Sequence, residues 1–573
     1  MTVSKPDALP VVAEHDLECV TRDGTILRAD VYRPADGGRY PVLLNRTPYG
    51  KHEPRYIADA KAVAARGYTM VIQDQRGRYA SDGEYRWMFR DRTETFDVED
   101  GYDAAEWAAR LPWSDGRLGT WGHSNASYLA WMLASSRPPS LKAFMASGMG
   151  ERLLSMNFGI FETGRRLEWV HLMAADARRR AGDTTGPHTA AEASRLWNQV
   201  ERSKWIWYLP LGEIPPSTFS TLDEQLQAYH KAQDVEFMRF GDFHPQVTTP
   251  VMLMTGWWDR LIGTMDHFTG LQKNGPLHLK GQHRMIVGPW IHDVTAMTPT
   301  NCGLDFGPDA DRSYAGMIAR WYDLHFKGID DGIGSEAPVQ LFVIGANEWR
   351  GEQEWPLSRA RPTPFHLSSG GKANTIHGDG VLTTRPPAHA SSADSYVYDP
   401  RDPVMSLMRA DSQAAPVDQA PHDHRRDILV YQTPPLEEDL EVIGPVSLTL
   451  WAATDGPDTD WTAKLALVQE SGLCINLTYG ILRAQHRDGY DRPSLLEPGK
   501  AYEYSIPLNP IAVLFKKGQR IRLYVSSSDF PNFDRNHNTG ADYWSDPVLR
   551  PAQQTVFHDQ PRPSRLILPV IPR

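Results

Sequence analysis

Apolar and polar positions between residues 25 and 147 follow two alternating patterns. Short apolar runs predict strands, and longer segments with apolar residues three or four positions apart predict helices. The predicted strands are 42–45, 68–73 and 117–121, and the predicted helices are 57–66 and 97–110. In the second helix Val98, Tyr102, Ala105 and Ala109 recur at helical spacing, so we expect them to form the face that docks on a sheet. The alternation predicts a parallel α/β arrangement.

Between residues 150 and 240 this alternation stops. Charged stretches rich in Met and Trp look helical and carry no strand pattern, which predicts an inserted lid. Strand patterns return at 250–255 (PVMLMT) and 284–288 (RMIVG). We therefore expect the first sheet to resume after the insertion, and a helix at 314–326 to close the first domain.

Beyond about residue 355 the helical periodicity fades. Pro, Gly and Asp separate short strand-like segments at 446–451, 463–468 and 521–525, which predicts a separate β-sandwich. The expected organisation is a first α/β part at 1–147, a helical insertion at 148–242, a second α/β part at 243–355 and an all-β domain at 356–573.

Composition narrows the class of function. A chain of 573 residues is too long for one hydrophobic core. Its net charge of -11 and its lack of a long Lys/Arg run argue against a nucleic-acid partner.

The spacing of the cysteines and the lack of targeting patterns indicate the cellular compartment. Cys19, Cys302 and Cys474 are too widely spaced for a structural zinc site or a disulfide framework, which fits a reducing compartment. The N-terminal residues lack a signal-peptide pattern, and no stretch approaches the roughly 18 apolar residues of a membrane span. We therefore expect a cytoplasmic protein with no membrane partner.

A candidate nucleophile lies in the segment 122–127 (GHSNAS), between a predicted strand and an apolar helix. At such a turn the residues two before and two after the serine have to be small, because the chain passes close to its neighbours. Gly122 and Ala126 meet this demand around Ser124, although Ala126 departs from the G-x-S-x-G pattern. A serine hydroxyl is a weak nucleophile, so it requires a histidine and a carboxylate as partners.

Two candidate partners follow later predicted strands. Asp259 comes after 250–255, and His292 comes after 284–288. Open α/β sheets place ligands at the carboxyl ends of their strands, and hydrolases of this class carry Ser, Asp and His in this order. A single Asp or His in a loop is commonly a cap or a surface residue, but three such residues at three strand ends indicate a catalytic triad.

These residues lie in motifs that resemble the cocaine esterase-type hydrolases, a group that includes X-Pro dipeptidyl-peptidases and α-amino acid ester hydrolases. The matching motifs are 47–49 (TPY), 73–77 (QDQRG), 81–83 (SDG), 122–127, 256–259 (GWWD), 288–292 (GPWIH), 398–400 (YDP) and 526–540 (SSSDFPNFDRNHNTG). The resemblance covers nearly the full length. It implies an α/β-hydrolase domain with an inserted helical cap, followed by an all-β jelly-roll-like domain.

The resemblance also implies a role for each residue of the site. Ser124 is the nucleophile, His292 the general base and acid, and Asp259 the orienting carboxylate. The oxyanion would be held by the backbone N–H of Asn125 and by the hydroxyl of Tyr49. The implied substrate is a small-molecule ester or amide, and no cofactor or metal is required.

Departures from the family pattern affect substrate choice. Relatives commonly carry Tyr directly after the nucleophile and Gly three places beyond it, whereas this chain has Asn125 and Ser127. Amino-ester hydrolases hold the substrate ammonium with carboxylates two and three residues after the catalytic acid, where this chain has Leu261 and Ile262. A desolvated cation needs a compensating charge, so a substrate with a free α-amino group is disfavoured.

The substrate pocket is the least determined part of the site. By resemblance we expect Trp169, Leu261, Leu407 and Met408 to line an apolar acyl pocket. Arg260, directly after the predicted acid, leaves two interpretations open: it favours a substrate that bears a carboxylate, or it forms a structural ion pair.

Several functions remain open at this point. The leading interpretation is a serine hydrolase that cleaves a carboxylic ester through an acyl-enzyme. A transacylase would use the same triad and differ only in excluding water from the acyl-enzyme. An X-Pro-type peptidase and a non-catalytic carbohydrate-binding protein are further alternatives. A metal site at 422–424 (HDH) is disfavoured because no third ligand stands at a recognisable spacing. The oligomeric state, including a homodimer, stays open.

Overall fold

The computed structural model of the protein describes residues 8–87, 95–150, 158–231, 240–389, 391–407 and 416–573. Ten strands form the first sheet. They are β1 (Val11–Val20), β2 (Ile26–Pro34), β3 (Tyr40–Thr47), β4 (Thr69–Asp74), β5 (Ser114–His123), β6 (Leu141–Ser147), β7 (Val251–Trp258), β8 (Arg284–Ile291), β11 (Val339–Val343) and β12 (Glu348–Glu352). A small ribbon of β9 (Thr300–Asn301) and β10 (Leu304–Asp305) follows β8.

The first sheet is mixed, which corrects the prediction of a parallel one. Its spatial order is β1-β2-β4-β3-β5-β6-β7-β8-β11-β12. The strands from β4 to β11 in this order pair in parallel, whereas β1, β2 and β12 pair antiparallel at the two edges. The sheet resumes at β7 after the insertion, as predicted.

Helices cover both faces of this sheet. They are α1 (Pro54–Ala64), α2 (Asp97–Ala109), α3 (Asn125–Ser135), α8 (Thr264–Asn274) and α9 (Tyr314–Tyr322). Successive residues of β3 point to opposite faces of the sheet. Leu43 packs in the core beneath α1 and α9. Its neighbours Val42 and Leu44 pack in the core beneath α2, α3 and α8. The predicted helix at 314–326 does not close the domain, because β11 and β12 follow it and extend the sheet.

The buried face of α2 includes Ala105, as predicted, and Val98 packs against the core, but the rest of the face differs from the predicted one. The buried residues are Asp97, Asp100, Gly101, Ala104, Ala105 and Ala108, and the partly buried ones include Val98, Tyr102 and Ala109. Two carboxylates, those of Asp97 and Asp100, are buried on this face. Asp97 accepts a hydrogen bond from Gln75 at 2.8 Å, and Asp100 pairs with Arg76 at 2.6 Å. Hydrophobic spacing cannot anticipate a docking face that carries buried acids.

The described residues between β6 and β7 form helices and connecting turns and contain no strand. They include α4 (Thr163–Ala181), α5 (Ala190–Leu196), a π-helical turn (Trp197–Glu201), α6 (Arg202–Trp205), α7 (Asp223–Lys231) and short 3-10 turns at Leu211–Glu213, Pro216–Thr218, Ser220–Leu222 and Phe240–Gln246. Thr189 caps α5 in a capping box with Glu192, which satisfies the free N–H groups at that end.

The C-terminal region is all-β. Its strands are β13 (Arg361–Ser368), β14 (Val381–Thr383), β15 (Asp394–Tyr398), β16 (Leu429–Gln432), β17 (Leu440–Thr454), β18 (Asp460–Val468), β19 (Cys474–Arg483), β20 (Tyr502–Phe515), β21 (Arg520–Ser526), β22 (Ala552–Phe557) and β23 (Arg565–Val570), and they form one eleven-stranded sheet. The predicted boundary after residue 355 lies in the connection between β12 and β13. Among the described residues, no helix combines the length and apolarity needed to cross a membrane.

Candidate active site

The segment around Ser124 forms a sharp turn between β5 and α3. Ser124 has φ 57° and ψ −123°, a backbone conformation that residues other than glycine rarely adopt. The turn brings the chain back on itself: a Cβ atom on Gly122 would lie 2.2 Å from the carbonyl oxygen of Ala126. Position 122 therefore requires glycine, whereas the methyl group of Ala126 is accommodated in the core.

The structure brings Ser124, His292 and Asp259 together in one chain of contacts. The Oγ atom of Ser124 lies 3.2 Å from Nε2 of His292, and Nδ1 of His292 lies 2.8 Å from Oδ1 of Asp259. With Nδ1 donating to the carboxylate, Nε2 is left to accept a proton from the serine hydroxyl. The three side chains come from the ends of β5, β7 and β8.

Asp259 is held from two further sides. The backbone N–H of Leu261 donates to Oδ1 at 2.8 Å, and the hydroxyl of Thr255 donates to Oδ2 at 3.0 Å. The carboxyl is fully buried, and this burial raises its pKa to about 6, although both hydrogen bonds act in the opposite direction. The group is therefore fixed in orientation toward the imidazole.

The environment of His292 favours its neutral form. Burial lowers the pKa of the imidazole, and the positive charges of Arg165 and Arg55 lower it further. A second histidine, His123, lies beside it with ring centroids 4.8 Å apart. Burial also lowers the pKa of His123. The neutral form of both rings is thus favoured, which suits a proton acceptor at Nε2 of His292.

A cavity of about 260 Å³ opens at Ser124. Its lining includes Tyr49, Arg55, His123, Met149, Arg165, Arg166, Trp169, Arg260, Leu261, His292 and Asp293. The Tyr49 hydroxyl accepts a hydrogen bond from the indole of Trp169 at 3.3 Å. Asn125 is the first residue of α3, where a backbone N–H has no acceptor within the helix. Both predicted oxyanion donors therefore adjoin the predicted nucleophile or share its cavity.

The structure places two of the four predicted acyl-pocket residues at the cavity. Trp169 of α4 and Leu261 line the cavity. Leu407 is partly buried in the connection between β15 and β16, and its part in the pocket stays a prediction. Met408 lies outside the described residues.

Sequence reasoning missed three cations of the cavity. Arg55 comes from α1, and Arg165 and Arg166 come from α4. No local signal marks them, because α1 and α4 are remote in sequence from the strands that carry the predicted triad. The paired arginines in the predicted lid were the one available hint.

Residues 422–424 make contacts within the C-terminal all-β region, called the β domain below. His422 contacts the carbonyl oxygen of Met405 at 2.8 Å, and Asp423 lies 3.4 Å from a guanidinium nitrogen of Arg522. The ring of His424 stacks on His377. Within the described ranges, no group of three or more His, Cys, Asp or Glu side chains is arranged to hold a metal ion.

Comparisons with known proteins identify the family of this chain. The family model of X-Pro dipeptidyl-peptidase (S15 family) matches residues 23–293, and that of the X-Pro dipeptidyl-peptidase C-terminal non-catalytic domain matches 331–567. Cocaine esterase of Rhodococcus sp. (strain MB1 Bresler) is 32% identical to this chain over 96% of its length and 97% of the relative.

Solved structures show the same fold over the whole chain. An α-amino acid ester hydrolase has a TM-score of 0.81 at 22% identity, and the match covers 99% of both chains. An aminopeptidase of a Thaumarchaeota archaeon has a TM-score of 0.78 at 24% identity, and the match covers 100% of this chain and 98% of the other. Similarity at these identities carries the fold: an α/β-hydrolase-type domain with a C-terminal all-β domain.

Proposed function

Since this chain belongs to the family of serine ester hydrolases that includes cocaine esterase, we propose that it cleaves carboxylic esters at Ser124 through an acyl-enzyme. The observation that carries the proposal is the continuous set of contacts from Ser124 through His292 to Asp259. A serine hydroxyl so placed can lose its proton as it attacks, which its ordinary pKa would otherwise prevent.

The proposed reaction has two halves. Nε2 of His292 takes the hydroxyl proton while Oγ of Ser124 adds to the ester carbonyl, and the same nitrogen then gives the proton to the departing alcohol. The product is an acyl-enzyme. Water, deprotonated by His292, next attacks this acyl group, and the proton returns to Ser124 as the carboxylic acid leaves. Asp259 stabilises the imidazolium that forms in each half.

The negative charge that develops on the carbonyl oxygen requires donors already in place. We assign this role to the Tyr49 hydroxyl and to the backbone N–H of Asn125. The Trp169 indole donates to the oxygen of Tyr49, which leaves the Tyr49 proton free to point toward the oxyanion. The hydrogen bond from Trp169 would orient the Tyr49 hydroxyl before the substrate binds.

We further propose that the helical segment after β6 acts as a cap over the site, since α4 contributes Arg165, Arg166 and Trp169 to the cavity. A jelly-roll arrangement is proposed for the β domain. Its support is pairing between strands distant in sequence, such as β13 with β23 and β15 with β22.

A fluorophosphonate probe and a series of p-nitrophenyl esters test the proposed function. The wild-type protein should be labelled and should release p-nitrophenol, and Ser124→Ala should do neither. Ser127→Ala is the matched control, because Ser127 lies one turn further along α3 and its buried Oγ has no hydrogen-bond partner in the described part of the chain. Labelling that persists in Ser124→Ala, or fails in the wild type, would contradict the assignment.

A further inference from the structure

The charges of the cavity point to a particular class of ester. We propose that the natural substrate carries a carboxylate, and that the guanidinium of Arg260 binds this carboxylate while Ser124 attacks the ester carbonyl. The inference rests on the proposed function and adds the substrate class to it.

Among the described residues, Arg260 is placed as a binding group without a protein partner. It follows Asp259 directly, lines the cavity that contains Ser124, and is only 7% exposed. Its Nη1 atom is buried and has no hydrogen-bond partner among the residues that the structure describes. A buried cation is unfavourable unless it is paired, so a guanidinium with an unpartnered nitrogen, on a residue that lines the cavity, is suited to an anionic ligand.

The other three arginines of the cavity differ from Arg260, because each contacts a carboxylate. Glu162 pairs with Arg165 and lies 3.3 Å from Arg166. Arg55 lies 3.8 Å from Asp293. These carboxylates compensate part of the positive charge, and within the described ranges none contacts Arg260.

The balance of charge in the cavity therefore favours an anion. Four arginines line the cavity, whereas only three carboxylates lie nearby among the described residues. These are Glu162, Asp293 and Asp259, the last of which contacts His292. This concentration of cations occurs in a chain whose net charge is -11. It cannot result from a generally basic composition. The site also lacks the acidic pair that would hold a substrate ammonium, since Leu261 and Ile262 stand in those positions.

The structural ion pair that the sequence left open for Arg260 is not formed by the described residues. A planar guanidinium suits a carboxylate, because two N–H groups can donate to its two oxygens. Arg260 is adjacent to the catalytic acid in the chain, so its ligand would lie within one small molecule's length of Ser124. The carboxylate can belong to the acyl half or to the alcohol half of the ester.

Two pairs of esters separate these sources. In the first, p-nitrophenyl hydrogen glutarate carries the carboxylate in the acyl half, and p-nitrophenyl methyl glutarate is its neutral counterpart. In the second, 4-acetoxybenzoate carries it in the alcohol half, and methyl 4-acetoxybenzoate is the counterpart. The quantity measured is the ratio of kcat/KM for the anionic ester to kcat/KM for the neutral ester, after subtraction of uncatalysed hydrolysis.

We expect the wild-type ratio to be at least about tenfold in one of the two pairs, as a charge-assisted hydrogen bond implies. Arg260→Gln should reduce that ratio by a similar factor, and Arg260→Lys should restore part of it. Arg401→Gln is the matched control: it removes one arginine from an exposed position of the β domain and should leave the ratio unchanged.

The outcomes distinguish this inference from the proposed function. If the wild-type ratio is near one in both pairs, the inference is overturned. If the neutral esters are nevertheless hydrolysed in a Ser124-dependent manner, the proposed hydrolase function still stands. A ratio unaffected by Arg260→Gln, or an equal loss for both members of a pair, would also overturn it. Absence of both turnover and fluorophosphonate labelling would contradict the proposed function and the inference together.

Discussion

At the scale of single residues, backbone strain and side-chain contacts coincide at Ser124. A φ of 57° with ψ of −123° costs roughly 1–3 kcal/mol for a residue with a side chain. The neighbouring structure maintains this conformation, since the N–H of Ser124 donates to Ser147 at 2.9 Å and its carbonyl begins the hydrogen bonding of α3. The same residue contacts His292. Strain and a proton acceptor at one serine are together much better explained by catalysis than by packing.

The hydroxyl of Tyr49 gives a prediction about the oxyanion. Tyr49→Phe removes one donor while keeping the ring, so we expect kcat to fall on the order of a hundredfold or more, as for loss of other oxyanion donors. The fold should persist, because Tyr49 is only partly buried and its ring is retained. Steady-state kinetics on a neutral p-nitrophenyl ester, with a thermal melt as the control, would measure this. Unchanged turnover would remove Tyr49 from the oxyanion site.

The titration of His292 gives a prediction about pH. Its pKa is lowered from 6.5 by burial and by the charges of Arg165 and Arg55. Only the neutral imidazole can accept the serine proton, and a lowered pKa keeps it neutral to lower pH. As pH falls, kcat/KM for a neutral ester should therefore stay level through 6.5 and decline only below that value.

A pH profile of kcat/KM on the wild-type protein tests this. Samples returned to neutral pH before assay identify any loss that comes from unfolding. A decline with its midpoint above 6.5, and thus above the pKa of about 6 of Asp259, would show that the surroundings of His292 do not stabilise its neutral form.

At the scale of elements, the turn between β5 and α3 has no room for a side chain at position 122. A Cβ atom there would lie 2.2 Å from the oxygen of Ala126, which is backbone and cannot swing aside. Gly122→Ala should displace the start of α3 and with it Ser124, lowering kcat/KM on the order of a hundredfold. We also expect a loss of roughly 1–3 kcal/mol in the free energy of unfolding.

Gly316→Ala in the first turn of α9 is a suitable control for this substitution. The nearest atom to the added methyl group is the Cβ of Ser313, at 3.1 Å, so a small adjustment accommodates it. Kinetics and denaturant unfolding of both variants make the comparison. Full activity in Gly122→Ala would mean that the turn tolerates a shift of α3.

The sequence was sufficient for elements whose patterns are local. The apolar runs of β7 and β8 and the small residues around Ser124 predicted three strand ends and the side chains that follow them. The structure brings Ser124, Asp259 and His292 together at these ends. Strand direction was not predictable in the same way. The antiparallel edges formed by β1, β2 and β12 depend on pairing between segments, which hydrophobic spacing does not encode.

The lining of the cavity was harder to predict than the proximity of Ser124, Asp259 and His292, because it also depends on contacts between distant segments. Arg55, Arg165 and Trp169 reach it from α1 and α4, so tertiary packing brings them together. Arg260 was identified only because it is adjacent to Asp259. Whether it had a partner could not be read from the sequence, since an ion pair depends on residues that approach from other elements.

At the scale of the whole molecule, aromatic rings connect the β domain with the cavity. Successive rings are in contact from Trp544 to Phe161, Tyr229, Trp87 and finally Trp169, with centroids 5.2 to 6.2 Å apart. Backbone hydrogen bonds follow the same interface: the N–H of Gly164 donates to Pro531 and that of Gly212 to Trp544, both at 2.8 Å. The position of α4 over the cavity thus depends on contacts with the β domain.

Trp544 is the residue at which this dependence can be tested. It is 6% exposed, its indole donates to Gln227 at 2.6 Å, and it stacks on His230. Trp544→Ala should cost about 3–5 kcal/mol in the free energy of unfolding, as expected for a large buried side chain. We also expect kcat/KM to fall, because Phe161 loses its neighbour and the ring contacts that position Trp169 loosen.

The control for Trp544→Ala is Val548→Ala in the same segment, at a position 58% exposed, where the free energy of unfolding should change by less than about 0.5 kcal/mol. Denaturant unfolding measures stability, and kcat/KM is then measured well below the denaturation midpoint. A destabilised Trp544→Ala protein that keeps full kcat/KM would show that the helical segment holds its place without the β domain. Loss of both quantities would show that the C-terminal domain, although it contributes none of the proposed triad residues, maintains the geometry of the site.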